Sequence, residues 1–90
     1  MIANAALWDK HGYLIGVVKV KTSLDYRLHL EFENGENRIF DMSPYLEKKP
    51  FSPLKVLSLF AMASVDYGTV VWPGNIDMAP ETLYARSVPA

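Results

Sequence analysis

Asp41 and Asp77 are the two carboxylates of this chain that could serve as a general acid–base pair if folding brought them together. Asp77 closes the run Trp72-Pro73-Gly74-Asn75-Ile76, and Tyr84 follows shortly after. A tryptophan, a turn and a tyrosine in such proximity can line a groove for a peptide or small ligand. The same rings can equally be core residues whose polar ends bond to backbone. The aspartates also have a plainer reading, because aspartate collects at element ends, where it hydrogen-bonds local backbone. Ser52-Pro53-Leu54-Lys55 matches the S-x-x-K pattern of acyl-enzymes, without the partner motifs or the chain length that chemistry needs. A helix N-cap serine followed by proline at the first helical position explains it. No residue is assigned a catalytic role.

Lys19, Lys21, Arg27 and Arg38 form a possible basic face, with His29 and Phe40 interleaved. Such a surface can touch phosphates and stack a base. Against it stand Glu31 within the same surface and a formal net charge of −1, which describe an ordinary solvated sheet face. His11 and His29 are the only histidines and neither has ligand-like spacing to a carboxylate cluster, so no metal site is expected. The absence of cysteine removes disulfides, thiol catalysis and thiolate metal sites together. No Gly-rich phosphate loop and no nucleophile elbow is present, and no cofactor is expected.

The elements that must position these residues centre on Tyr26–Asp41. Apolar and polar residues alternate from Tyr26 to Phe32, as a half-buried strand requires. Asn34-Gly35 predicts a tight type I′ turn. That turn would set Phe32 opposite Asn37, Glu31 opposite Arg38 and Leu30 opposite Ile39. One face would then carry Leu28, Leu30, Phe32 and Ile39, and the other Arg27, His29, Glu31, Arg38 and Phe40. Tyr13–Thr22 reads as a preceding strand, apolar on both faces up to Val17, where it is covered on both sides or joins an interface. Ser23-Leu24-Asp25 is short enough to make the next strand its antiparallel neighbour.

Further along, Ser43-Pro44-Tyr45-Leu46 predicts a single helical turn, and Pro53 to Ala63 the main helix. The polar stripe of that helix is essentially Lys55 and Ser58, too narrow for a helix lying on one sheet. A second subunit or the chain's own ends would have to cover the remainder. Val65–Trp72 supplies a further short hairpin around Gly68, Ile76–Met78 an extended link, and Pro80–Arg86 a short C-terminal helix. The expected class is α+β: a small antiparallel sheet, made of a three-stranded meander plus that hairpin, packed on one main helix. Residues 1–90 form one domain, with an uncertain arm over 1–12 and a frayed tail over 87–90.

A 90-residue chain buries only about 60% of its unfolded surface. Half its residues are nonetheless hydrophobic, which hints at an apolar surface shared with a partner. No secretory leader is evident and no apolar stretch reaches the ~18 residues that span a bilayer, so a cytoplasmic protein with no membrane partner is expected.

One ordered set of residues runs through nearly the whole stretch from Val17 to Tyr84. It comprises Leu28-x-Leu30-x-Phe32-x-Asn34-Gly35-x-x-Arg38, then Asp41-x-x-Pro44-x-Leu46, then Phe51-x-x-Leu54, Phe60 and Val65. Gly68-Thr69-Val70-x-Trp72-Pro73 and Asp77-x-x-Pro80-x-x-Leu83-Tyr84 complete it. In this order the chain resembles a small bacterial domain-of-unknown-function family, number twenty-four forty-two. It departs from many members at Gly74-Asn75, where they read asparagine-glycine. The resemblance implies a compact α+β domain of prokaryotic origin with no established activity and no catalytic residues to carry over. It also implies relatives with a C-terminal helix-turn-helix domain, and others encoded beside small partner proteins in a toxin–antitoxin-like arrangement.

Three functional expectations follow. The first is a non-enzymatic protein-interaction module acting as a homodimer or with a small partner protein, as in a toxin–antitoxin pair. The second is a small-ligand or enzymatic site near Trp72 and Asp77, with Tyr84 and Asp41. The third is an accessory nucleic-acid-binding role for the Lys19, Lys21, Arg27 and Arg38 face.

Overall fold

A computed structural model describes residues 15–90. The expectations for the 1–12 arm, His11 and the Tyr13–Leu14 start of the first strand lie outside the described residues. Strands β1 (Val17–Thr22), β2 (Arg27–Phe32) and β3 (Asn37–Asp41) form the expected antiparallel meander. Single 3₁₀ turns over Ser43–Tyr45 and Ser52–Lys55 lead to α1 (Leu57–Phe60). Then come β4 (Ser64–Asp66), β5 (Thr69–Trp72), β6 (Ile76–Met78), α2 (Pro80–Ala85) and β7 (Val88–Pro89). The strands make two antiparallel sheets, ordered β1-β2-β3-β7 and β4-β5-β6.

The architecture is therefore mostly β, and the expected main helix is replaced by two short pieces. The 3₁₀ turn stops at Lys55, Val56 is extended (φ −76°, ψ 111°), and α1 is a single turn. The reason lies in the two anchors. Leu54 and Phe60 are both fully buried, yet six residues along a continuous α-helix they would point about 120° apart, wider than the ~100° apolar stripe of one helix face. Breaking the helix at β-branched Val56 lets both enter the core.

The hairpin register differs from the expected one by one residue. Glu31 faces Asn37, Leu30 faces Arg38, His29 faces Ile39 and Leu28 faces Phe40. The loop has three residues instead of two. The Gly35 N–H donates to the Phe32 carbonyl at 2.9 Å and the Phe32 N–H to the Glu36 carbonyl at 2.9 Å. Of the Asn34-Gly35 pair only Gly35 takes a positive φ, 86°. The Asn34 side chain instead accepts from the Glu36 N–H at 3.0 Å, which holds a turn of the Asx kind. A one-residue slip exchanges the two faces of a strand. Phe40 thus joins Leu28, Leu30 and Phe32 inside, and Ile39 faces out beside His29.

The second sheet extends the expected hairpin by a strand, because Ile76–Met78 pairs with β5. Tyr67 (φ 49°) and Gly68 (φ 79°) make the β4–β5 turn. Gly68 also lies against Gly16, where an added Cβ would stand 3.1 Å from its Cα. That close approach, with the Val17 N–H donating to the Gly68 carbonyl at 2.8 Å, joins the two sheets. It covers the described part of the doubly apolar segment, so Ile15 and Val17 are buried. The stretch after Ser87, expected to fray, carries β7, in which Val88 pairs with Ile39 and Pro89 with Arg38. Proline is tolerated there because β7 is an edge.

One buried cluster runs through both layers. Leu28, Leu30, Phe32 and Phe40 come from the first sheet, Val70, Trp72, Ile76 and Met78 from the second, and Leu54, Phe60 and Leu83 from the connecting segments.

Candidate functional site

Of the sequence-predicted residues, Trp72 and Asp77 line one depression, whereas Tyr84 and Asp41 stand elsewhere. Trp72 is a core residue: its ring stacks on Phe60 at 6.2 Å, and its indole N–H donates to the Phe60 carbonyl at 2.9 Å. Tyr84 packs edge-on against Phe32 with ring centroids 5.0 Å apart. Asp77, exposed on β6 opposite Val71, lines a shallow depression of about 430 Å³ together with Trp72, Asp66, Pro73 and Asn75. Asp41 belongs to the other sheet, where its carboxylate accepts from the Ser43 N–H at 2.9 Å. Asp41 and Asp77 thus stand on different sheets; Asp41 holds the turn after its strand, and Asp77 is exposed in the middle of β6.

Two predicted residues from different groups do meet. The Arg38 guanidinium lies over the Tyr84 ring at 4.6 Å. Its Nε donates to Ser87 Oγ at 2.6 Å, Nη2 to the Ser87 carbonyl at 3.0 Å, and Nη1 to Glu36 Oε1 at 2.9 Å. Glu36 Oε2 accepts from the Tyr84 hydroxyl at 2.5 Å and from Asn34 Nδ2 at 2.6 Å. The Tyr84 hydrogen bond is the main cause holding the Glu36 carboxyl below its ordinary value, with Asn34 and Arg38 adding to it against partial desolvation. The same bond raises the Tyr84 phenol, and burial adds to the rise. This cluster clamps the β2–β3 hairpin to α2 and the C-terminal segment. Its polar atoms are spent on one another, which suits a fastening and leaves no group poised for proton transfer. Glu36 and Ser87 escaped sequence reasoning. Arg38 and Ser87 are 49 residues apart, and no local pattern links them.

The expected basic face survives in part. Lys19 and Lys21 on β1, and Arg27 and His29 on β2, point to the outer side of the first sheet. Arg38 and Phe40 do not, because the register turns both inward. Lys19 reaches Glu31 at 3.8 Å and Arg27 reaches Asp25 at 3.3 Å, both pairs open to solvent. Among the described residues no group of three or more histidines and carboxylates is placed to hold a metal ion. No described helix is long and apolar enough to cross a membrane.

The remaining feature is apolar. On α1 and its flanks, Val56 is 58% exposed, Leu57 38% and Met62 57%. Leu54 and Phe60 from the same segment hold it to the core, and the Tyr26 hydroxyl donates to the Lys55 carbonyl. The narrow polar stripe read in the sequence thus corresponds to three exposed apolar side chains on α1 and its flanks.

The chain is a mostly β domain of two small antiparallel sheets joined by short helical turns. The family model described as "Protein of unknown function (DUF2442)" matches residues 17–89, and the chain belongs to that family. Comparisons with curated proteins and with solved structures give no significant match.

Proposed function

We propose that this chain is a non-enzymatic protein-interaction module of the cytoplasm, acting as a homodimer or with a small partner protein in a bacterial system of the toxin–antitoxin kind. The observation that carries the reading is the ridge of Val56, Leu57 and Met62. Apolar side chains gathered on one anchored turn gain about 25 cal/mol for each Å² removed from water, and only another surface supplies that burial. The cysteine-free sequence suits a reducing compartment.

The test is light scattering of the purified chain, and of its complex captured from nuclease-treated lysate, for wild type and for Val56→Lys/Met62→Glu. The expected result is a defined dimer, or a stoichiometric second protein, that the double variant loses while keeping its thermal midpoint. A wild type that is monomeric and captures nothing, or an assembly that ignores both substitutions, overturns the reading.

A further inference from the structure

On the opposite side of the first sheet from its core, four strands contribute one row of outward side chains. Lys21 pairs with His29, His29 with Ile39 and Ile39 with Val88, so the row crosses β1, β2, β3 and β7 in order. Its chemistry is graded, cationic at β1 and apolar at β3 and β7, where Val88 is 59% exposed. A shallow hollow of about 310 Å³ opens on this face, lined by Lys19, Lys21, His29, Glu31 and Asn37, with Arg38 and Ala90 at its β3–β7 side. Lys19 and Arg27 each have a carboxylate within reach, whereas Lys21 has no ion pair among the described residues.

We propose that this face docks an acidic, amphipathic helix of a partner protein, its carboxylates over Lys21 and Lys19 and its apolar side chains over Ile39 and Val88. A helix on a sheet is the usual way to cover such a face. The dimensions agree. Strands about 4.8 Å apart put Ile39 roughly 10 Å from Lys21. Seven residues of helix rise about 10.5 Å. Val88 lies one strand further, roughly 14 Å from Lys21, so a ligand with Glu or Asp at one position and Leu at the seventh and eleventh positions beyond it, about 10.5 and 16.5 Å along the helix, meets both ends of the row. Nucleic acid fits less well. Phe40, the aromatic that could have stacked a base, is 1% exposed inside the core. Arg38 is engaged with Glu36 and Ser87. What remains is too few cations to neutralise a run of phosphates. The proposal extends the interaction reading to a second surface, and the two surfaces can fail independently.

The experiment is fluorescence anisotropy of the full chain with a labelled helical peptide of about fourteen residues carrying that Glu/Leu spacing. A scrambled peptide of identical composition and a short thymidine oligonucleotide serve as controls. The designed peptide is expected to bind at least about ten-fold tighter than its scramble. Lys21→Glu and Val88→Lys should each weaken it about ten-fold, as loss of one charged or apolar anchor implies. Val56→Lys/Met62→Glu should leave it unchanged. Equal binding of peptide and scramble, indifference to Lys21→Glu, or binding of the oligonucleotide alone overturns the proposal.

Discussion

Replacing Phe40 with alanine should remove a large part of the stability of this domain, and replacing Ile39 with alanine should remove little. Phe40 is 1% exposed and its ring stacks on Tyr45 with centroids 5.4 Å apart. Truncating a phenylalanine in that position costs about 3–5 kcal/mol, combining lost transfer energy with the cavity left behind. Ile39 is half-exposed on the outer face, where its loss costs about 1 kcal/mol or less. Domains of this size hold roughly 5–15 kcal/mol in total. Equilibrium urea unfolding reads the difference. With a slope of about 1 kcal/mol per molar, the Phe40→Ala midpoint should fall by about 3 M or more and the Ile39→Ala midpoint by less than about 1 M. Phe40→Leu, expected to cost about 1–2 kcal/mol, keeps the comparison measurable if the alanine variant does not fold. The two-residue turn would bury Ile39 and expose Phe40. Finding that Ile39→Ala costs more than Phe40→Ala would therefore refute the three-residue loop and everything built on its register.

Two further outcomes follow from the hairpin and its clamp. Glu36 is held below its ordinary value of 4.5, chiefly by the Tyr84 hydroxyl. A depressed carboxylate adds stability that is full above that ordinary value and is lost as pH falls through the lowered one. Tyr84→Phe should accordingly flatten the acid limb of a stability profile, and an unchanged limb would show that the bond does not form in solution. At Gly35 an added Cβ meets nothing within 4 Å, while φ is 86°. Gly35→Ala should thus cost about 1–2 kcal/mol by backbone strain alone, and a neutral result in urea unfolding would mean that the loop takes another form.

Much of the strand plan was legible because it rests on local rules. Alternation from Arg27 to Phe32, the short polar link before it and the Gly68 turn all act over a few residues. The apolar content of Pro53–Ala63 does not decide whether it is one helix; which of its residues must be buried together does. Leu54 and Phe60 both need the core, and no single helical face offers both. β6 and β7 were missed for the opposite reason. Ile76-Asp77-Met78 and Val88-Pro89 are too short to declare themselves, and each is a strand only because a finished neighbour presents an edge to it. Trp72 was legible as a ring with a polar end needing a partner. That the partner is the Phe60 carbonyl depends on packing between segments.

The loop length at Asn34-Gly35 had the widest consequence for the candidate site. Asn-Gly favours a two-residue turn when only the loop is considered. Here two tertiary gains act on the same choice. The observed register buries the larger Phe40 in place of Ile39, and it points Arg38 toward Ser87 and Tyr84. Burying a phenylalanine side chain is worth about 1.5–3 kcal/mol, comparable to or larger than the preference between hairpin loops. The same slip takes a cation and an aromatic off the outer face and leaves Ile39 and Val88 in their place. In the docking proposed for this face, carboxylates and apolar side chains thereby take the place of phosphates and bases, so the proposed ligand class follows from one residue in a loop.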